Sequence, residues 1–429
     1  MYFVFIFPYL TFAKVQIISS DLNFPYFLAK RIARNGKRTF SALIVRVAVG
    51  AIALGIAAMM LSIAVLKGFK GEVTAKQRGF FGDITLTNYD LNDSYEPEPI
   101  ELNSVEIEEL KRVPGVIDIK HFGTKAGIIN VNDEVEGVLF KGIDEHYNQQ
   151  FLEQSLVDGS PIDFADSTRA MSQILLSQYI ANRLNLAVGD DFILYFVQLE
   201  GRPRPRKFQI AGIFHTGVEE LDNTYVVGSL PLLRRLNGWD PGAVGGYEVT
   251  IADFKELNDV TEVVQETLPV SIDAMSVRDQ LPEIFQWLDL LDVNTVIILI
   301  LMMVVAVVNI VSALLIIILE RTSMIGLLKA LGYTDSGIRN VFLYQAAQLI
   351  GWGLIIGNTL GYSLYWFQRQ THYFKLDEAS YYVSYVPMDI SFLEVASLNI
   401  GVTAITLLVL LIPSYLVGRI NPIRAIQFQ

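Results

Sequence analysis

The sequence predicts an α-helical membrane protein with four transmembrane helices and one large extracytoplasmic α+β domain. Three observations carry that prediction. Residues 293–319 hold no charged side chain, and 27 residues at about 1.5 Å of rise make a helix of about 40 Å, more than the roughly 30 Å hydrocarbon core. A run that is apolar on every face for this length is a span, because core helices of soluble domains keep a polar side. The composition agrees, with 52% hydrophobic and 18% charged residues and a mean hydropathy of +0.39. Charge is also partitioned: residues 67–292 carry 19 Lys and Arg against 38 Asp and Glu, while the rest of the chain carries 14 against 7. One acidic soluble block is set between spans hugged by basic residues.

Taken in order, residues 1–46 form an N-terminal segment and a cytoplasmic elbow. Residues 1–13 are apolar but too short to span and lack a basic leader, so they are expected to be a mis-called start or a loose membrane-surface segment. In residues 24–38, Lys30, Arg31, Arg34, Lys37 and Arg38 alternate with Tyr26, Phe27, Leu28 and Ile32, the pattern of an amphipathic helix on an anionic leaflet. The first span follows at 47–66, where Ala51, Gly55, Ala53 and Ala57 at four-residue spacing allow close helix approach. Basic residues before it place the N-terminus inside by the positive-inside rule.

Residues 67–292 then lie outside. Apolar, β-branched-rich runs predict strands at 84–87, 116–120, 126–131, 137–143, 192–197, 208–214 and 247–251. Helices are expected at 104–113, 171–184, 254–268 and 277–290, and two lobes are expected because 171–184 and the strands after it read as a compact block. Between two of these strands, Gln198 and the run Arg202, Pro203, Arg204, Pro205, Arg206 predict a protruding, locally basic hairpin tip, since proline cannot donate to a ladder.

The second span, 293–319, leads into an amphipathic inner segment, 320–340. Its short helix puts Met324, Leu328 and Leu331 on one face, with Gly332 as its C-cap. The third span, 341–367, carries Gly353, Gly357 and Gly361 at four-residue intervals, a helix-packing stripe together with Gly55. Residues 368–394 form a short outer loop, 395–418 the fourth span and 419–429 a basic, cytoplasmic tail.

Several chemistries are excluded. The chain has no cysteine, four scattered histidines without ligand-like spacing, and neither a Gly-x-Ser-x-Gly nor a His-Glu-x-x-His sequence, so no catalytic residue and no metal site is expected. Nucleic acid is not an expected partner, because there is no basic groove. A Gly-Lys pair at Gly36-Lys37 lacks the rest of a phosphate cradle, and the spans hold no acidic residue of the kind that marks ion-coupled pumps. Work done by this chain must be powered by a partner, and the inner helix is where a partner can push.

The run from Val304 to Leu314, then Glu320, then Ile325 to Gly332 and Ile338-Arg339 with Val341-Phe342, resembles the FtsX-like permeases of ABC transporters. Within them it looks most like the LolC/LolE lipoprotein-releasing type. Residues 55–72 are similar to the first span of that type, and Pro422 with Ala425 to its terminal signature. The resemblance implies an outer domain of the MacB-like periplasmic core kind and a location in the bacterial inner membrane. It also implies a non-catalytic permease that binds no cofactor itself, ATP-Mg being held by a LolD-like ATPase dimer. Its other partners would be a second permease (a homodimer, or a LolC/LolE-type heterodimer), lipoprotein cargo and a LolA-like periplasmic carrier meeting the hairpin tip. By the same resemblance Arg321, Met324, Ile325, Leu328, Leu331 and Gly332 belong to an ATPase-coupling helix, and Met59, Met60, Ile63, Phe69, Val296 and Ile300 to a lipid or cargo surface. The alternatives are a MacB-type efflux permease, which usually carries a fused ATPase, and an FtsX-type regulator of cell-wall hydrolases, whose outer domain is generally smaller.

Overall fold

The computed structural model describes residues 24–35, 40–89, 96–131, 134–147, 149–198 and 202–416. The first 23 residues, Lys37 and Arg38, and the tail with Pro422 and Ala425 lie outside them. Among the described residues two compact units emerge, one of those up to 66 with 293–370 and 388–416, the other of those within 67–292 and 371–387.

The first unit is built from four helices long and apolar enough to cross a membrane. They run Phe40–Phe81, Pro282–Glu320, Asp335–Thr371 and Phe392–Leu416. The first two are far longer than their hydrophobic stretches. Hydropathy marks only the part of a helix that lipid solvates, and Lys67, Lys70, Glu72, Lys76 and Arg78 occupy the continuation of the first. Proline at the start of the second suits the helical first turn, where its missing N–H is no loss. Ile52, Ile56 and Met59, with Ile310, Leu314 and Ile317, Phe342, Ala346 and Ile350, and Val402 and Leu410, form one buried core from all four helices. The elbow helix Phe24–Asn35 contributes buried Ala29 and a Tyr26 ring edge-on to Tyr344 at 5.9 Å.

Among the described residues the second unit carries ten strands: β1 Ile84–Asn88, β2 Val116–Val131, β3 Glu134–Ile143, β4 Leu156–Gly159, β5 Gln173–Ser177, β6 Asp191–Phe196, β7 Arg204–Phe214, β8 Tyr225–Ser229, β9 Gly246–Ile251 and β10 Ile272–Ser276. The 16-residue β2 is shared by two substructures. Its first half pairs with β9, which continues through β1 to β10, all antiparallel, and helices Ser104–Arg112 and Leu257–Thr267 contribute Leu110, Val260 and Val264 to the core with this sheet. Its second half pairs with both β3 and β6, and the pairings β3–β8, β8–β5, β5–β7 and β7–β6 close a ring of six strands. Phe140, Phe196 and Phe208 are buried with ring centroids 5.3 to 6.2 Å apart, large side chains that a small closed sheet needs to fill it.

Four sequence expectations change here. Residues 171–184 are not one helix: Gln173–Ser177 is a strand buried on both faces, and Ser177 then caps the helix Gln178–Leu184 by accepting from the Ile180 N–H at 3.1 Å. A short run buried on both sides has no period to read. The two lobes are therefore not separate blocks, since β2 belongs to both. The helix expected at 277–290 breaks at Leu281, and its second part is already the long second-span helix. Arg204, Pro205 and Arg206 sit within β7, opposite Phe196, Tyr195 and Leu194. Pro205 is tolerated because β5 joins β7 only from Gln209 onward, leaving that edge without a partner to donate to.

Candidate functional site

The segment joining the second and third spans is defined by its caps. Helix Thr322–Ala330 ends in a Schellman motif: the Tyr333 N–H donates to the Leu328 carbonyl at 3.0 Å, and the Gly332 N–H to Lys329 at 2.9 Å. Gly332 takes φ +84°, a conformation a side chain would strain. The third-span helix starts at once, Thr334 Oγ1 accepting from the Gly337 N–H at 3.2 Å. Lys329 Nζ lies 2.9 Å from Asp335 Oδ1, tying the short helix to the start of that span.

The faces of this helix differ from the sequence expectation. Ile325 is fully buried in the span core, and Met324 and Leu328 pack against the same core. The outward apolar positions are Leu327 and Leu331, 57% and 75% exposed. Helical spacing puts Leu327 and Leu331 one turn apart on one face. The amphipathic pattern of nine residues bounded by two spans was ambiguous because both of its faces contain apolar groups. Arg321, half-buried, precedes the first turn.

The glycine stripe of the third span lies against the first. A Cβ on Gly353 would meet Ile52 Cγ2 at 2.4 Å, on Gly357 the Ala53 carbonyl oxygen at 2.7 Å, and on Gly361 Met60 Sδ at 2.8 Å. Gly55 has no atom within 4 Å of such a Cβ and is not part of this contact. Met60 thus faces Gly361, and Met59 is also fully buried, so neither lies on a lipid-facing surface. Phe69 is buried too, its ring edge-on to Trp287 at 5.5 Å, beside Lys70, whose Nζ is 2.5 Å from Asp292 Oδ2. Ile63 is half-buried. Val296 and Ile300 are more than half exposed and share a stripe with Val293, Ile297, Leu301 and Val304.

Sequence reading missed a polar link between the third and fourth spans. Asn358 Nδ2 donates to Asn399 Oδ1 at 3.0 Å and Asn399 Nδ2 to Asn358 Oδ1 at 3.1 Å, a reciprocal amide pair. Asn358, Thr359, Tyr362, Ser363, Tyr365 and Trp366 also line a groove of about 600 Å³ on the third span. A single asparagine changes the mean hydropathy of a long apolar span little, so only the pairing marks these two.

In the second unit the hairpin of β6 and β7 exposes Arg202, Pro203 and Arg206, while Arg204 Nη1 donates to the Leu236 carbonyl at 2.6 Å. Gln198 Nε2 donates to the Val197 carbonyl at 3.2 Å. Residues 371–387, within the short outer loop expected at 368–394, belong to this unit. Glu378 Oε2 lies 3.1 Å from His215 Nε2, Lys76 Nζ donates to the Tyr382 carbonyl at 2.8 Å, and Val383 is buried. Burial lowers the Lys76 pKa, opposed chiefly by the charge of Glu378.

Comparison with known proteins agrees with this architecture. Residues 47–267 match the MacB-like periplasmic core domain family, and residues 296–422 match the FtsX-like permease C-terminal family. The chain is 24% identical over 424 residues to the lipoprotein-releasing system transmembrane protein LolC of Neisseria meningitidis serogroup B, covering 94% of this chain and 97% of that one. It is 20% identical over 422 residues to the LolE protein of Haemophilus influenzae, covering 95% of this chain and 100% of that one. The crystal structure of the periplasmic region of MacB from Actinobacillus actinomycetemcomitans aligns with 49% of this chain and 95% of its own length, at 15% identity and a TM-score of 0.33. The chain belongs to the family that carries the MacB-like periplasmic core domain, joined here to an FtsX-like permease C-terminal region, and is a multi-pass inner-membrane protein whose large domain lies in the periplasm.

Proposed function

We propose that this chain is the permease subunit of an ABC system that extracts lipoproteins from the outer leaflet of the inner membrane. Likeness over nearly the whole chain to proteins named LolC and LolE supports the cargo class. The observation that carries the mechanism is the pair Leu327 and Leu331, exposed on a short helix whose opposite face is buried in the span core. On the cytoplasmic side such a pair is a seat for a separate LolD-like ATPase dimer, which holds the nucleotide and its magnesium. Closure of the ATPases on ATP pushes this helix, and the Schellman turn with the Lys329–Asp335 pair hands the motion to the third span. The glycine contact passes it on to the first span.

A second permease, identical or paralogous, completes the pathway. Acyl chains of the cargo travel along the exposed stripe through Val296 and Ile300, apolar area that lipid or lipid-like chains solvate equally well. The basic hairpin with Arg202 and Arg206 on an otherwise acidic domain is the contact for an acidic LolA-like periplasmic carrier.

Affinity purification from native membranes without nucleotide, followed by mass spectrometry, tests the assignment. Acylated lipoproteins and a separate ATPase are expected to co-purify, with the lipoproteins lost on adding ATP. Recovery of an efflux adaptor or a cell-wall hydrolase in their place would overturn it.

A further inference from the structure

We propose that His121, Asp144 and His146 form a binding site for a divalent transition-metal cation of the zinc class in the periplasmic domain. His121 stands more than twenty residues before Asp144 and His146, and the fold gathers them. His121 lies on β2, Asp144 directly follows β3, and His146 is two residues further into the same turn. One ligand atom from each lies within 4.8 Å of the others. His121 Nδ1 is 2.8 Å from Asp144 Oδ2, His146 Nδ1 is 4.0 Å from Asp144 Oδ1, and the His146 backbone N–H donates to that same oxygen at 3.1 Å.

Ligand atoms about 2.0–2.2 Å from a tetrahedral zinc are about 3.4 Å apart. The distances here bracket that value, so a cation is accommodated by a small adjustment of the side chains. About 0.6 Å is needed in each case: the His121–Asp144 pair opens by that much, and Asp144 is approached by the exposed His146. Its side chain is 69% exposed, whereas Asp144 is 8% exposed and His121 packs edge-on against Tyr247 at 5.3 Å. Two imidazoles and one carboxylate favour zinc and its first-row neighbours over the oxygen-preferring calcium and magnesium. Three protein ligands leave a fourth position to water. A bound cation clasps the turn to β2, next to Tyr147, whose hydroxyl donates to Glu248 on β9 at 2.9 Å.

The test uses the full chain in detergent, stripped with chelator and titrated with zinc chloride by calorimetry, with native mass spectrometry for stoichiometry. One zinc per chain is expected, together with a higher Tm, since at a hundredfold excess over Kd the folded-to-unfolded ratio rises about a hundredfold. His146→Ala should weaken binding tenfold or more while its Tm in chelator stays that of the wild type. His146→Cys, which restores a zinc ligand, should recover binding. Loading with cobalt(II) reads coordination without any variant, through the visible absorption of a four-coordinate ion. The proposal is overturned if the wild type takes up no zinc, if H146A binds as tightly, if calcium or magnesium raises Tm equally, or if the cobalt band is absent.

Discussion

Lys141 illustrates how single residues hold this protein. Its ammonium is enclosed, 2.6 Å from Glu248 Oε1, over the Phe80 ring at 4.3 Å, and it donates to the Phe80 carbonyl. Burial lowers its pKa, with Glu248 pulling the other way, and the Tyr147 phenol is pushed well above its usual value by burial and then by Glu248. Removing one partner strands a buried charge. Glu248→Gln should therefore cost about 3–5 kcal/mol in thermal or denaturant melts, and Lys141→Met combined with Glu248→Leu should recover much of it. A double variant no more stable than Glu248→Gln alone would show that packing around Phe80 matters more than the ion pair. In the spans, Asn358→Leu should lower detergent stability by about 0.6–2 kcal/mol, because Asn399 is left unpaired in an apolar setting. Adding Asn399→Leu should return part of that loss.

Among elements, the third-span helix sets its glycines against the first span, and the short helix before it buries Ile325 in the span core. Gly357→Leu drives a side chain into the backbone of Ala53, which cannot rotate away, so about 1–3 kcal/mol of stability should be lost; an unchanged melting temperature would mean that the two helices separate without penalty. On the short helix, Leu331→Glu and Leu328→Glu should behave differently. The first keeps the fold and weakens ATPase association by about tenfold or more, the equivalent of about 1.5 kcal/mol for an apolar side chain. The second perturbs the span core and should reduce the folded yield. Pull-down of the ATPase with equal amounts of each folded variant distinguishes them, and unaltered capture by Leu331→Glu would remove the outward face from the coupling role.

For the whole molecule, the segment 371–387 belongs to the periplasmic unit although it leaves and re-enters the membrane unit by the third and fourth spans. Gly217 lies against it: at φ +71°, a conformation a side chain would strain, a Cβ on it would meet Glu378 Oε1 at 2.1 Å. Gly217→Ala should loosen the segment, with the amides of Leu376 and Tyr382 exchanging hydrogen roughly tenfold faster. Exchange at the wild-type rate would show that Val383 and Tyr382 dock the segment without Glu378.

The spans, the acidic outer domain and the resemblance to FtsX-like permeases were legible in the chain itself, because uninterrupted apolarity and charge partition are properties of consecutive residues and need no partner to be read. Strands such as β5 were not legible, since a segment buried on both faces loses its alternation and its type is chosen by β7 and β8 beside it. Which side of the short helix faces outward, which methionines are buried, and that His121 meets Asp144 and His146 were settled only by tertiary structure. These depend on contacts between residues far apart in the chain, and local pattern carries no information about what a distant segment will place against a given face.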